Sequence, residues 1–404
     1  STHAVTDAAS NLDVTYASYR PLVTDQLTIS AKVGLTTSWD TLDAQFATYT
    51  KNEALSYPNI FQNDHHADWE GTQDPDAFNV LKWKEIDQVC RIVVGEDTYT
   101  YASIQDAIDD AHNKGLSNPT IEMLTNVSIR KDVNNKGIHF HENQELTITT
   151  ATGITGLSTA TLTRGDLDIN LFELTELGAK VHIQNVTING MYGSETAAQK
   201  GSIFHVQGNG ATLYLEKDTR PGVVANNGPT LTGNGKAGNG SAVNLEQGIV
   251  NISAAVFSNN ACVGTDEQGN PYKGGAIYYA PNGATTSTTL TFSGSPDIVR
   301  NYTGPDDQNL TVSNVYMGDQ LFNVSGDLDE NAAIGIHSTL GVGAKIANNT
   351  TSPQASIANL GNISNDKVTS LYAKEGTQPS DIVWETAACR INDTYYQTLQ
   401  DAID

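Results

Sequence analysis

Cysteine, positive charge and long apolar runs are all scarce in this chain of 404 residues. Three cysteines, Cys90, Cys262 and Cys389, cannot build a disulfide framework, and their spacing matches no zinc pattern. Lys and Arg number 22 against 46 Asp and Glu, a formal net charge of -24. Such a field repels a nucleic-acid duplex or an anionic membrane, and the sequence offers no Lys/Arg cluster as a local exception. Nucleic acid is therefore excluded as a partner. No apolar run approaches the length of a membrane span, so this segment is not expected to insert in a bilayer. No signal-peptide pattern is present either, so the chain reads as mature or as a piece of something longer.

What the chain does contain is self-similarity. Ser103-Ile104-Gln105-Asp106-Ala107-Ile108-Asp109 recurs as Thr398-Leu399-Gln400-Asp401-Ala402-Ile403-Asp404. Upstream of each copy lie matching blocks: "EGTQDPDAFNVLKWKEIDQVCRI" from Glu70 and "EGTQPSDIVWETAACRI" from Glu375, with Trp83 facing Trp384 and Cys90 facing Cys389. Further back, Asp25-Gln26-Leu27 matches Asp319-Gln320-Leu321, and Asn11-Leu12 matches Asn309-Leu310. The expected organisation follows: 1–90 is the closing section of one unit, 91–388 a complete unit, and 389–404 the start of a third. The equivalence of Cys90 and Cys389 favours a small buried apolar residue over a bridge. The same facts also allow a self-assembling subunit whose split unit is completed between molecules.

Within the complete unit, Ser103 is a good N-cap, with Asp106 three residues on. Ile104, Ala107, Ile108 and Ala111 form one apolar stripe, and Gly115 stops the helix, which predicts a capping helix over about 103–114. From about 118 to 330 the texture changes to short β-rich runs between Gly/Asn/Asp turns, and 331–388 closes the unit. Three starts are alike: Gly201-Ser202-Ile203-Phe204, Gly240-Ser241-Ala242-Val243 and Gly274-Gly275-Ala276-Ile277. Short strands of this kind suit stacked coils, with Gly and Asn at the corners and length variation in loops. Asn after an apolar strand, as in "NVTING", "VFSNN" and "IVRNYT", can stack into amide ladders. A β-sandwich fits the same short strands and turns, but the recurring starts favour the solenoid.

The "SIQDAIDDA" segment followed by β-rich turns resembles the N-terminal cap of pectin-lyase-like right-handed parallel β-helices. Phe257-Ser258-Asn259-Asn260 followed by Gly274-Gly275-Ala276-Ile277 resembles the repeat pair of chlamydial polymorphic outer-membrane proteins and other surface adhesins. The stretch 313–336 followed by "YASIQDAID" is similar to large repetitive surface proteins of gut Gram-positive bacteria. These resemblances imply an all-β fold: a right-handed parallel β-helix with a short N-terminal capping α-helix per unit, in tandem. They also imply a secreted or cell-surface location.

Catalytic chemistry is hard to find in the sequence. Polysaccharide hydrolysis wants two carboxylates facing one cleft, and lyases want Ca²⁺-binding carboxylates near a base. Arg164, Asp166 and Asp168 in "TRGDLDIN" are the nearest such cluster, with Asp166 and Asp168 expected on one face of a strand; a solvated turn is the plainer reading. Arg164-Gly165-Asp166 also spells an integrin-type tripeptide. His139 and His141 alternate on a strand and could pair at a metal, yet no third ligand is evident. His65 and His66 are adjacent and read as a loop. The acidic loops "GTDEQGNPY" from Gly264 and "TGPDDQN" from Thr303 could bind Ca²⁺ weakly but match ordinary turns. Asn126, Asn185, Asn251, Asn301, Asn309 and Asn323 head N-x-S/T triplets that matter only in a eukaryotic secretory pathway.

The expectation is therefore a non-enzymatic extracellular stalk or adhesin, without catalytic, metal or cofactor residues. Its partners would be neighbouring units or identical molecules, and a host glycan or protein ligand. A carbohydrate-active enzyme of pectin-lyase-like fold and a self-assembling extracellular filament subunit are the alternatives.

Overall fold

The computed structural model describes residues 87–387 nearly continuously, with gaps at 133, 167, 193–200, 224–227, 280–287 and 352–354. Before these it describes seven strands between residues 12 and 85, and after them residues 389–391, 394–396 and 403. The chain divides into two units, Ser1–Gln88 and Val89–Asp404. Both are mostly β-strand, and no helix among the described residues is long and apolar enough to cross a membrane.

In the second unit most strands belong to one long, largely parallel sheet. Its pairings fall into three ladders. Ladder A takes Thr120–Met123, Glu145–Thr150, Lys180–Ile183, Thr212–Leu215, Ile249–Ile252, Thr289–Gly294, Phe322–Leu328 and Lys345–Asn349, each parallel to the next. Ladder B takes Val127–Ile129, Ala160–Arg164, Val186–Asn189, Thr230–Thr232, Val256–Ser258, Asp297–Ile298, Ala333–His337 and Ile363–Asn365. Ladder C takes Ile138–His139, Phe172–Leu174, Phe204–Val206, Val243–Leu245, Ile277–Tyr279 and Val315–Tyr316, and ends on Ile336 and His337. The chain visits A, B and C in turn before moving one rung along.

Alternation along each strand decides what is inside. In ladder A, Ile121, Ile148, Ile183, Leu215, Ile252, Phe292 and Val324 pair rung to rung and all are buried. In ladder B the inward column is Leu162, Ile188, Leu231, Phe257, Ile298, Ile334 and Ile363. In ladder C it is Ile138, Phe172, Phe204, Val243, Ile277, Val315 and Ile336, with Phe172 and Phe204 stacked at 4.8 Å. Identical side-chain chemistry at one pleat position therefore merges into a single core.

The recurring Gly starts sit where the chain enters ladder C. A Cβ on Gly201 would lie 1.7 Å from the carbonyl oxygen of Ile169, and Gly274 has φ +72 with Ile277 O 2.3 Å from such a Cβ. Only glycine permits that approach of one rung's backbone to another. Between ladders B and C the buried asparagines Asn234, Asn260, Asn301 and Asn314 stack. Nδ2 of Asn260 donates to Asn301 Oδ1 at 2.9 Å, and Nδ2 of Asn301 to Asn314 Oδ1 at 3.0 Å. Two of the flagged asparagine motifs supply Asn260 and Asn301; Asn189 of "NVTING" instead accepts from the Met191 N–H.

Helix α1, Ile104–Asn113, begins at Ser103, whose side chain accepts from the Asp106 N–H at 3.0 Å. Its buried residues are Ile104, Ala107, Ile108 and Ala111, and it packs on Thr120–Met123, Ile138–His139 and the hairpin Cys90–Val94/Asp97–Tyr101. Cys90–Val94 runs antiparallel to Thr120–Met123, the first rung of ladder A. At the other end, Asp381–Thr386 runs antiparallel to Lys345–Asn349, and Leu371–Glu375 joins it to Ile363–Asn365. An antiparallel hairpin thus bridges the last rungs of A and B. Parallel pairing continues past residue 330, the expected limit of the coils, to Ile363–Asn365.

The first unit holds a seven-stranded sheet whose pairings match that closing section strand for strand. Gln45–Tyr49 pairs antiparallel with Val80–Glu85 with a register shift between Gln45 and Ala47; Lys345–Asn349 pairs with Asp381–Thr386 with a shift between Lys345 and Ala347. Gly71 stands opposite Trp83 as Ala373 stands opposite Trp384. Cys389–Ile391 and Thr394–Tyr396 form a hairpin with Cys389 opposite Tyr396, as Cys90 is opposite Tyr101. Two of the sequence matches shift: Leu12 pairs with Leu35 as Val315 pairs with Ile336, so Leu12 corresponds to Val315 rather than Leu310. Val23 likewise takes the place of Val324, which puts Asp25-Gln26-Leu27 out of step with Asp319-Gln320-Leu321.

No disulfide joins the cysteines. Cys90 and Cys262 are buried, and burial pushes both thiols up to about 12. In the native chain, a thiol reagent at neutral pH is expected to label the half-buried Cys389 first. Peptide mapping after timed alkylation checks this, with Cys90 and Cys262 modified only on unfolding.

Candidate functional site

The cluster singled out in the sequence does not converge. Arg164 ends its strand and is only 4 % exposed. Its guanidinium donates to the carbonyl oxygens of Ile169, Gly201 and Ser202 and to Asn234 Oδ1. Burial pulls its pKa down to about 10. An arginine so enclosed cannot present an integrin-type tripeptide. Asp166 and Asp168 lie beyond the strand rather than on one face of it. Asp166 accepts from the Lys131 N–H at 2.8 Å, and Asp168 stands 3.5 Å from Lys131 Nζ.

His141 lies 2.8 Å from Asp109 Oδ1 and stacks on His112 at 4.1 Å, while His139 Nδ1 is 3.1 Å from Gly137 O. Among the described residues no group of three or more His, Cys, Asp or Glu is placed to hold a metal ion. His65 and His66 lie outside the described residues. In the acidic loops, Asp266 accepts from the N–H groups of Asn270 and Gln268, and Asp306 from Asn309 Nδ2 and the N–H groups of Gln308 and Asn309. These bonds hold both carboxyls below their usual range. They are turn-forming carboxylates.

The strongest concentration of chemistry is the outward column of ladder C. Register places His139, Glu173, His205, Asn244, Tyr278, Tyr316 and His337 one after another. Six rung intervals at the usual strand spacing make a strip about 29 Å long. His205 Nε2 is 3.5 Å from Glu246 Oε1, and Asn244 Nδ2 donates to the same oxygen at 2.8 Å. His205 foremost, and Asn244 and Lys236 after it, hold the Glu246 carboxyl below its ordinary value. Lys273 Nζ donates to Tyr316 OH at 3.1 Å and lies 4.7 Å from that ring's centroid. Tyr316 stacks on Tyr278 at 5.6 Å and meets His337 edge-on at 5.7 Å. Burial first, then the charges of Lys367 and Lys273, drive the His337 imidazole down to about 4, so it is neutral at physiological pH.

Two features set this strip apart. Asn244 faces outward yet is only 8 % exposed, and its Oδ1 is buried without a hydrogen-bond partner; His337 Nδ1 is in the same condition. Buried polar atoms left unpaired cost free energy, and both of these lie beneath the surface rather than on it. Second, the Tyr278 and Tyr316 rings lie 6° from parallel and stack along the ladder. Ring edges and hydroxyls therefore face outward, and the strip offers hydrogen bonding rather than flat aromatic platforms.

Sequence reasoning missed this site because its members lie on successive rungs, from residue 139 to residue 337. A readable signal existed: a polar or aromatic residue second in the short ladder C strands, as in "FHV", "VNL" and "IYY". Comparison with protein-family models, curated proteins and solved structures finds no match.

Proposed function

We propose that the chain is a section of an extracellular stalk on a bacterial surface, built from tandem right-handed parallel β-helix units that bind through ladder C. The observation that carries this reading is duplication. The pairings of the first unit match the closing section of the second down to the same register shift, and the 389–396 hairpin copies the one at 90–101. Repetition favours reach and multivalency over single-site turnover. Helix α1 and the Leu371–Thr386 hairpin then act as lids over coil ends that would otherwise leave core and backbone groups open. The acidic surface keeps such a rod soluble and discrete.

The test is incubation of the purified chain with uronate polysaccharides and mucin glycans, with and without Ca²⁺, beside light scattering and intact mass. Binding without turnover by a discrete particle is the expected result. Turnover that survives purification controls would replace the stalk with a carbohydrate-active enzyme, and concentration-dependent growth would replace it with a self-assembling filament.

A further inference from the structure

Each ladder begins with a strand that has no rung before it, and the three leading edges are treated differently. On ladder A, Cys90–Val94 pairs antiparallel with Thr120–Met123. On ladder C, the Gln105 side chain stands in for a strand. Its Oε1 accepts from the His139 N–H at 3.0 Å and its Nε2 donates to the His139 carbonyl at 3.1 Å. On ladder B, Val127–Ile129 pairs only with Ala160–Arg164 among the described strands. The Gly165 N–H donates to Ile129 O, so the backbone groups of Val127 and Ile129 face the next rung. Alternation turns those of Ser128 and Arg130 to the leading edge, where no partner meets them among the described residues. That edge borders a groove of about 360 Å³ between the strand and the start of α1. Val127 heads the inward column of ladder B and is only half-buried there, whereas Leu162 and Ile188 on the next two rungs are fully buried. Among the charged side chains lining the groove, Lys131 stands by Asp168, Asp132 accepts from the N–H groups of Asn134 and Lys136, and Asp106 lies in the first turn of α1. Arg130 is exposed and has no hydrogen bond or ion pair among the described residues.

We propose that this edge takes up an extended segment of another protein as an antiparallel strand, with apolar side chains over Val127 and Ile129 and an acidic one opposite Arg130. The occupant follows from what the edge lacks. The N–H and C=O groups of Ser128 and Arg130, spaced as in a strand, match another backbone and leave it the hydrogen bonds of one further rung. Antiparallel entry repeats the pairing at the head of ladder A. Compact β-branched side chains on the inward side complete a column that stops short at Val127. A carboxylate across from Arg130 supplies the cross-strand partner that this cation is without. A second copy of the chain is the poorer occupant, because two bodies at -24 repel each other while a short segment carries little charge. The edge is separate from the outward face of ladder C and stands independently of it.

Fluorescence anisotropy of a labelled peptide of sequence TEVTVT, titrated with the full chain, tests this. In the proposed register its Glu faces Arg130, its central Thr faces Ser128, and its two Val side chains point inward. A Kd of about 0.1–1 mM is expected for so short a strand. N-methylation of the Glu and the central Thr, whose N–H groups face the edge, should weaken binding at least about tenfold. N-methylation of the two Val, whose N–H groups face away, should change it by no more than about twofold. S128P removes an N–H from the leading edge alone and should weaken binding about tenfold, with circular dichroism confirming the fold. The two methylated peptides decide the matter even where S128P fails to fold. With R130Q, the peptide and its Gln counterpart should bind alike. No binding at millimolar concentration, methylated peptides that weaken alike, or unchanged binding by folded S128P would each overturn the assignment. Dimers that grow with concentration and vanish in S128P would give the edge to a second copy and overturn it as well.

Discussion

Replacing Trp384 with alanine is expected to destabilise the second unit by about 3–5 kcal/mol. Trp384 is fully buried at the end of the core, and its Nε1 donates to Ser338 Oγ at 3.4 Å. It lies on Asp381–Thr386, which pairs on one side with the last strand of ladder A and on the other with Leu371–Glu375. Truncation leaves a cavity in a close-packed core, because among the described residues no further parallel rung follows this strand to collapse into it. It also loosens the hairpin that bridges ladders A and B, so exchange of the amides in Ile363–Asn365 should accelerate. Denaturant melts of the full chain measure the loss. V342A, at a site 59 % exposed, is the control and should move the midpoint by no more than about 0.5 kcal/mol equivalent.

Asn301→Ala is expected to cost about 3 kcal/mol or more. Its Nδ2 donates to the carbonyls of Phe257 and Val299 and to Asn314 Oδ1, while its Oδ1 accepts from the N–H and Nδ2 of Asn260. Alanine removes these bonds in a buried corner, at about 1–3 kcal/mol for each group left unpaired, while Asn314 Oδ1 keeps the residue-301 N–H and Asn260 Nδ2 keeps the Leu231 carbonyl. The ladder also runs between opposite charges. Arg164 donates to Asn234 Oδ1 at one end, the Asn234 backbone N–H donates to Asn260 Oδ1, the Asn260 and Asn301 side-chain amides each donate to the next, and Asn314 donates to the Asp366 carboxylate at the other end. The Asn260, Asn301 and Asn314 amides thus point their positive ends toward the half-buried Asp366.

Burial raises the Asp366 carboxyl above its ordinary value despite the two Asn314 donors. A carboxyl raised in the folded state contributes stability that is present at low pH and is lost as pH climbs through its folded pKa. D366N removes this loss at the cost of one accepted bond. Its stability relative to the parent should therefore improve as pH rises from about 4 and then level off. A difference independent of pH would show that Asp366 is not so shifted. N348A, in the outward column of ladder A, should change little at any pH.

What could be read from sequence was whatever repeats locally. Ser103, Ile104 and Ala107 announce α1 because a cap and an apolar stripe need only four or five residues of context. Trp83 against Trp384 and Cys90 against Cys389 were legible as duplicated text. The stacking partners were not. Nothing in "GNG" at 233–235 marks Asn234 as a ladder member, because the membership depends on Asn260 one rung away. The upstream matches slipped by a few residues for the same reason, since short similar runs can be aligned in several ways and only strand register chooses among them. Arg164, read as a candidate for chemistry by composition, is a corner cation spent on carbonyl oxygens.

Spin labels on the outward column of ladder A address the stacking most directly. Register sets Thr147, His182, Tyr214, Asn251, Thr291, Asn323 and Asn348 on successive rungs. Electron–electron distance measurements on Thr147–Thr291 and Thr147–Asn348 pairs should centre near about 19 and 29 Å, growing by one strand spacing per rung. Separations that fail to grow with rung number, as when strands pair across two facing sheets, would contradict a coiled stack and remove the basis for a rod with a binding strip along one face.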